Sequence, residues 1–281
     1  MKSIIAINKK FMSLNPTELN EIVTKSSKYI EGYEIYVDYT NKEELKYLDE
    51  LAFICHKENL HFQVHGNSSL PLEIQIEYMK YLENIADYLG YKINIVLHSI
   101  SAPTINESIK LTTDYLESLT NETDENKVII SLENLNDSGN IDRLDKNDIT
   151  PIVANNEKVY LTYDIGHEIA DYSNLLTINS EIIPLISNVH IHTFNSFFSE
   201  GYDHKPIFKN DEHWNEIIKG ILFLKRNNYD KSIVFEYDLN TCPGNNIKEK
   251  IISYCESIDY VSERIKGWEL ILLFFNHLED N

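Results

Sequence analysis

Six short motifs place a histidine or a carboxylate at or directly after the end of an apolar, β-type run. In chain order they are Val64-His65-Gly66, Leu97-His98-Ser99, Leu132-Glu133-Asn134, Tyr163-Asp164-Ile165-Gly166-His167, His190-Ile191-His192 and Phe235-Glu236-Tyr237. Imidazole nitrogens and carboxylate oxygens are the donors that divalent metal ions accept in proteins. One such residue alone is more often a hydrogen-bonded core or rim residue than a metal ligand. Their recurrence at successive strand ends favours a shared metal-binding site.

The residues predicted to bind a divalent ion are Glu133, Asp164, His190 and Glu236. A carboxylate buried at a strand end loses its hydration and is repelled by its acidic neighbours, and a divalent cation compensates for both effects. The mixed oxygen and nitrogen donors suit Mn2+, Mg2+, Co2+ or Zn2+ and leave positions open for substrate oxygens. The sequence therefore predicts a metal-dependent enzyme with an open coordination site.

These motifs need a scaffold that brings strand ends together. Runs rich in Val, Ile, Tyr or Phe occupy residues 4–7, 33–37, 61–64, 93–97, 128–132, 159–163, 189–191 and 233–235. Between them lie helical patterns, such as the apolar series Leu72, Ile76, Met79, Leu82, Ala86 and Leu89. Strand–helix alternation over eight units predicts parallel strands closed into a (β/α)8 TIM barrel, whose active sites lie at the carboxyl ends of the strands.

Residues 1–281 are predicted to form one such barrel domain, with two irregularities. The long connection 193–210 is a candidate active-site loop, and its aromatic residues suit either stacking on a sugar or anchoring of the loop. These are Phe194, Phe197, Phe198 and Tyr202. An extra C-terminal helix at about 259–278, with apolar residues such as Trp268 and Phe274, would cap the core or contact a second subunit in a homo-oligomer.

Composition and charge argue against several classes of function. The chain has 45 acidic residues against 25 Lys and Arg, and its net charge of −20 disfavours nucleic acid and anionic membrane as partners. Its three cysteines show no CxxC spacing, and no apolar run is long enough for a signal peptide core or a membrane span. No glycine-rich loop follows a strand, which disfavours dinucleotide binding. A cytoplasmic enzyme acting on a small molecule is expected.

The order of these motifs resembles the xylose isomerase-like superfamily of metal-dependent TIM barrels, which contains sugar isomerases, sugar epimerases and endonuclease IV. The resemblance extends from the first strand to Glu236. The family's metal ligands, Glu, Asp, His and Glu on strands five to eight, fall on the four predicted ligands. Its Asp-x-x-His signature matches Asp164 to His167, and its alternating histidines match His190-Ile191-His192.

For a sugar substrate, the resemblance implies isomerisation or epimerisation through an enediolate intermediate. A bound ion would polarise the carbonyl and acidify the neighbouring C–H bond. Glu133 and Glu236 would transfer the proton, and His167 would orient or polarise a substrate oxygen. Lys205 and Lys209 are the only cations near the ends of strands seven and eight, so a neutral sugar or polyol is favoured over a phosphorylated one.

Endonuclease IV provides the alternative reading, a multi-zinc phosphodiesterase acting on abasic DNA. Members of that branch bind three zinc ions, and the candidates here for additional metal or substrate contacts are His65, His98, His192 and His204, together with His167. The nuclease pattern is incomplete, because Tyr202 replaces a ligand Asp, although Asp203 is adjacent. Asn67 and Ser68 also stand where a Pro and a DNA-wedging Tyr would follow Gly66. The nuclease therefore ranks second, and a non-catalytic sugar-binding barrel ranks third.

Overall fold

Eight strands lie where the sequence predicts them. The computed structural model of the chain describes residues 2–7, 14, 18, 21, 25, 30–135, 144–171, 179–193, 204–208 and 213–279, with side chains up to residue 267. The strands are Lys2–Ile7 (β1), Gly32–Tyr36 (β2), His61–His65 (β3), Ile93–Leu97 (β4), Val128–Glu133 (β5), Val159–Asp164 (β6), Ile186–Ile191 (β7) and Ser232–Phe235 (β8). Each pairs in parallel with the next, and β8 pairs with β1, so the sheet is a closed barrel and the predicted fold is confirmed.

Helices follow the strands around the outside of the barrel. Those in the described part of the chain are Lys42–Glu58 (α1), Leu72–Leu89 (α2), Ile105–Glu122 (α3), Lys146–Ala154 (α4), Ile165–Asp171 (α5), Trp214–Arg226 (α6) and Ile247–Glu279 (α7), with a 3-10 turn at Ile183–Leu185. Side chains that bond the first backbone amides fix several starts, as Thr104 does for α3 and Asp145 for α4. None of the described helices has the length and apolar character needed to cross a bilayer.

The C-terminal segment differs from the expectation in one respect. It is helical, but it continues the last barrel helix, so that α7 is one helix of 33 residues. Charged residues such as Glu256 and Glu263 interrupt the apolar pattern of this helix. Because of this interruption, the last barrel helix and the segment at about 259–278 look like separate helices in the sequence. The side chains of Trp268 and Phe274 lie outside the described ones.

The main apolar core fills the space between the barrel and its helices, whereas the barrel interior is largely polar. Inside the barrel the buried apolar cluster comprises Ile4, Ala6 and Val234. A layer of buried polar side chains crosses the rest of the interior: Glu34, Gln63, Asn94, Ser131, Thr162 and Asn188. Ser131, Thr162 and Asn188 each stand two residues before a predicted ligand, on the same face of their strands. This polar layer therefore lies directly beneath the strand ends that carry the predicted site.

Candidate metal centre

The four predicted ligands converge at the carboxyl ends of adjacent strands. Glu133 ends β5, Asp164 ends β6, His190 lies near the end of β7 and Glu236 follows β8. One donor atom from each lies within 4.8 Å of the others. Glu133, Asp164 and His190 are inaccessible to solvent, and the side chain of Glu236 is 19% exposed. The group therefore has three buried members and one at the solvent-facing edge.

His190 Nδ1 is the point on which the carboxylates converge. It lies 2.9 Å from Glu133 Oε1, 2.7 Å from Glu236 Oε2 and 3.9 Å from Asp164 Oδ2. Burial opposes the charge of each group, but the attraction between them is larger. The pKa values of Glu133 and Glu236 are therefore held well below the ordinary range, largely by His190. The pKa of His190 is raised well above its own, against the effect of burial, by the surrounding carboxylates.

This donor set fits a divalent cation. Three carboxylates surround one imidazole, so even a protonated His190 leaves negative charge uncompensated. Asp164 Oδ2 is buried and accepts no hydrogen bond within the described part of the chain. Three oxygens and one nitrogen, with an exposed side at Glu236, could hold a cation and leave room for a further ligand.

Asn134 fixes the position of Asp164, and sequence reasoning missed this role. Its side chain donates to the Asp164 carbonyl at 2.9 Å and accepts from the Asp164 amide at 2.8 Å, which ties the ends of β5 and β6 together. Asp164 Oδ1 in turn accepts the His167 amide at 2.7 Å and caps α5. The Asp-x-x-His spacing thus places a side chain that caps α5, and this capping bond leaves Asp164 Oδ2 directed towards the other predicted ligands.

Glu133 also belongs to a second group, with His65 and His98. The Nε2 atoms of both histidines lie 3.1 Å from Glu133 Oε2. His65 Nδ1 faces the Gly66 carbonyl at 3.1 Å and carries a hydrogen, because a carbonyl only accepts. Its Nε2 also faces an acceptor, Glu133 Oε2, so it donates there unless a cation takes the place of that hydrogen. Burial opposes protonation at both rings. Glu133 outweighs burial and raises the pKa of His65, whereas burial prevails and lowers the pKa of His98.

A third group consists of His167, His192 and His204. The ring centroid of His192 lies 4.9 Å from that of His167 and 4.3 Å from that of His204. The Asn134 carbonyl accepts from His167 Nδ1 at 3.0 Å and the Thr193 carbonyl from His192 Nδ1 at 3.3 Å, so both Nδ1 atoms carry hydrogens. His192 Nε2 lies 3.2 Å from Asp164 Oδ1. One ligand nitrogen from each ring lies within 4.8 Å of the others.

Local backbone features support this third group. A Cβ atom at residue 166 would lie 2.5 Å from the His192 ring, so glycine is required there for that ring to pack against α5. His204 has φ 55°, in the left-handed region that residues with a side chain rarely adopt. Its carbonyl accepts from the Asp238 amide and the Thr241 hydroxyl, which hold the strained residue in place. The structure therefore brings together all nine predicted site residues in three adjoining groups.

Glu34 contacts the predicted ligand His190, although the sequence did not single it out. It lies in the middle of β2, is 1% exposed, and its carboxylate is 3.1 Å from His190 Nε2. The available signal was a charged residue inside an otherwise apolar strand, Tyr33 to Val37, in a barrel whose strands are covered on both sides. The predicted aromatic contacts from Phe194, Phe197, Phe198 and Tyr202, and the alternative ligand Asp203, lie outside the described residues.

A cavity of about 980 Å³ opens from the three groups towards the loops after β3 and β4. His65, His98, His167, His204 and Glu236 line its inner end. Asn67, Ser68, Ser69, Ser101 and Ser118 line its outer part. Within the described chain this lining contains hydroxyl, amide, imidazole, carboxylate and apolar groups but no Lys or Arg.

Solved structures with the same fold include sugar epimerases and a nuclease-family protein. D-psicose 3-epimerase from Clostridium cellulolyticum H10, solved with D-tagatose, is 14% identical with a TM-score of 0.62, over 94% of this chain and 99% of that one. The IolI protein with a zinc atom is 18% identical with a TM-score of 0.63, over the same shares. An AP endonuclease, family 2, from Brucella melitensis is 14% identical with a TM-score of 0.59, and the match covers 89% of this chain and 96% of that one.

No protein-family model and no curated protein matches the sequence. At the identities above, structural likeness establishes the fold alone, a (β/α)8 TIM barrel that this chain shares with these proteins. The reaction has to be argued from the site itself, because this fold carries many chemistries.

Proposed function

We propose that this chain is a divalent-metal-dependent isomerase or epimerase of a neutral sugar or polyol. The observation that carries the proposal is the convergence of Glu133, Asp164, His190 and Glu236 at the mouth of the barrel. The D-psicose 3-epimerase with the same fold offers an analogy for the substrate class. A bound divalent ion would supply polarisation of a substrate carbonyl, which acidifies the adjacent C–H bond.

The residues of this chain would then handle the proton. Glu133 and Glu236 approach the same nitrogen of His190 from different strands, β5 and the end of β8, so a substrate bound beside it lies between two carboxylates. One removes the proton to give an enediolate, and the other returns it. His167 presents Nε2 because its Nδ1 hydrogen is committed to the Asn134 carbonyl, which suits it to hold a substrate oxygen.

The cavity supports a neutral substrate. A phosphate group is usually held by Arg or Lys side chains or by helix amino termini. The described lining has no Lys or Arg and several side-chain hydroxyls, which can donate to and accept from sugar hydroxyls. The net charge of −20 further disfavours an anionic substrate.

The experiment is a screen of ketoses and aldoses in D2O with Mn2+ or Co2+, followed by NMR. Deuterium is expected at the carbon next to the carbonyl, because carboxylates at a barrel mouth exchange protons with water. Glu133→Gln and Glu236→Gln should each abolish incorporation, whereas Glu256→Gln, at an exposed position of α7, should not. Metal occupancy is measured in the same samples, since both glutamates are also proposed ligands. Incorporation that survives either substitution with the metal bound would contradict the assignment of the two bases.

A second candidate is a multi-metal phosphodiesterase related in site to endonuclease IV. The observation that favours it is the presence of two further ligand groups, one of which shares Glu133 with the first. Metal analysis separates the candidates: one ion per chain favours sugar chemistry, and two or three favour phosphoester hydrolysis. Hydrolysis of bis(4-nitrophenyl) phosphate by the zinc-loaded protein, lost in His98→Ala, would promote this candidate over the first.

A further inference from the structure

The carboxylate of Glu34 is a buried charge inside the barrel, and it sits on the far side of His190 from the candidate metal centre. Its Oε1 and Oε2 atoms lie 3.1 and 3.2 Å from His190 Nε2. His190 Nδ1, the other ring nitrogen, faces Glu133 and Glu236. The imidazole therefore bridges Glu34 and the converging ligands.

The contact with Glu34 decides which ring nitrogen is available to a cation. A carboxylate accepts hydrogen bonds, so His190 Nε2 must carry the hydrogen in this contact. When a cation occupies the centre, one ring nitrogen has to give up its hydrogen, and Nε2 keeps its own by donating to Glu34. The Nδ1 lone pair is then directed at Glu133, Asp164 and Glu236. A carboxylate behind a ligating imidazole also makes the imidazole a stronger donor to the metal.

The polar layer holds Glu34 in the orientation that this role requires. Gln63 donates to Glu34 Oε2 at 2.5 Å, and Asn188 donates to the same oxygen at 3.2 Å. These bonds come from the strands β3 and β7, so they fix the carboxylate from two directions across the barrel. A carboxylate that is 1% exposed needs such donors, and no Lys or Arg is found among its partners in the described structure.

We propose that Glu34 is a positioning residue that fixes His190 with Nδ1 towards the metal and Nε2 protonated. This inference rests on the proposed metal centre and extends it to a residue that does not itself contact the ion or the substrate. Its consequence is that metal affinity depends on a carboxylate buried beneath the ligands.

The test compares Co2+ binding by the full-length wild type, Glu34→Gln and Asn94→Ala. Glutamine has the same shape, but its single carbonyl oxygen cannot serve His190, Gln63 and Asn188 together. Affinity for Co2+, followed by its visible absorption and by calorimetry, should fall about 10- to 100-fold in Glu34→Gln. Asn94→Ala removes a member of the same polar layer that bonds Ser131, so affinity there should stay close to that of the wild type.

A spectroscopic readout separates positioning from a general loss of structure. In 1H–15N spectra of the wild type loaded with Zn2+, the His190 ring should carry hydrogen on Nε2 and bind metal through Nδ1. This measurement also stands if Glu34→Gln does not fold. If the metal is coordinated through Nε2, or if a folded Glu34→Gln binds Co2+ with wild-type affinity, the role proposed for Glu34 is wrong while the metal centre itself stands. A wild type that binds no ion at His190 overturns the metal centre and this inference with it.

Discussion

At the scale of single residues, the site is organised by which nitrogen each histidine presents. Backbone carbonyls accept the Nδ1 hydrogens of His65, His167 and His192, and Glu34 faces Nε2 of His190. A ring whose hydrogen is committed on one side offers a lone pair on the other. Ligand orientation is therefore set by neighbours that would not themselves touch a metal.

Gly166→Ala tests this orientation at His192. The new methyl group would lie 2.5 Å from the His192 ring, so the ring must move or α5 must shift. We expect a loss of about 1–3 kcal/mol in the free energy of unfolding, measured with urea, as for other overpacked sites. Binding of any metal held by His167, His192 and His204 should also weaken.

Gly267→Ala is the matched control, in the long helix α7. A Cβ atom there meets nothing within 4 Å, and alanine has the higher helix propensity. We expect this variant to gain about 0.5–1 kcal/mol in the free energy of unfolding. If Gly166→Ala were as stable as Gly267→Ala, the close packing of His192 against α5 would be wrong.

The sequence predicts the four residues that converge at the strand ends, but not the residues that hold them in place. Glu133, Asp164, His190 and Glu236 could be found because each follows an apolar run, and the fold makes strand ends neighbours. The roles of Glu34 and Asn134 could not, because they depend on contacts across the barrel and on backbone geometry. Nor does spacing reveal that Glu133 faces His65, His98 and His190 together.

At the scale of elements, the strands were predictable because each carries a short β-branched or aromatic run. The beginnings of β3 and β5 match the prediction at residues 61 and 128. The extent of α7 was less predictable, because helices on a barrel pack mainly through tertiary contacts and an interruption of the apolar pattern need not end a helix. The polar layer was also hidden, since its members alternate with the apolar residues that define the strands.

His61, the first residue of β3, lies at the opposite end of its strand from the site and makes the free energy of unfolding depend on pH. Burial, with a smaller effect from Lys2, lowers the pKa of His61 to about 4, and Gln63 offsets this in part. An unfolded histidine titrates near 6.5, so the folded state favours neutral His61. The stabilisation is present above pH 6.5 and is lost as the pH falls from 6.5 towards 4.

We therefore expect His61→Phe to lose less stability than the wild type on acidification. Phenylalanine keeps an aromatic ring beside Tyr91, whose ring centroid lies 5.3 Å from that of His61. Between pH 7 and pH 5, in metal-free buffer, the wild type should lose about 1–2 kcal/mol more than the variant in urea unfolding. Equal losses in the two proteins would show that His61 does not resist protonation.

At the scale of the whole molecule, charge separates the two candidate functions. A protein that grips duplex DNA neutralises phosphates with Lys and Arg, whereas this chain has a net charge of −20. Bound cations would reverse the sign of the electrostatic potential only near the strand ends. The described lining of the large cavity offers no Lys or Arg for a backbone to follow.

We accordingly expect no efficient incision of a duplex that contains an abasic site, even with added Zn2+. The measurement is strand cleavage on a denaturing gel at low ionic strength, where binding to DNA is strongest. Treatment with EDTA shows whether any cleavage requires a metal, and Glu133→Gln purified in the same way controls for contaminating nuclease. Rapid incision that requires Zn2+ and disappears in Glu133→Gln would reverse the ranking of the two functions.

The central claim is that four strand ends of this barrel hold one divalent ion, and anomalous diffraction from crystals loaded with Co2+ or Zn2+ tests it most directly. Data collected on both sides of the absorption edge locate the ion without assumptions about activity. The account predicts a peak at about 2.0–2.2 Å from donor atoms of Glu133, Asp164, His190 and Glu236, with or without further peaks at the other two groups. Peaks confined to other positions, or no peak among these four residues in a protein soaked to saturation, would contradict it.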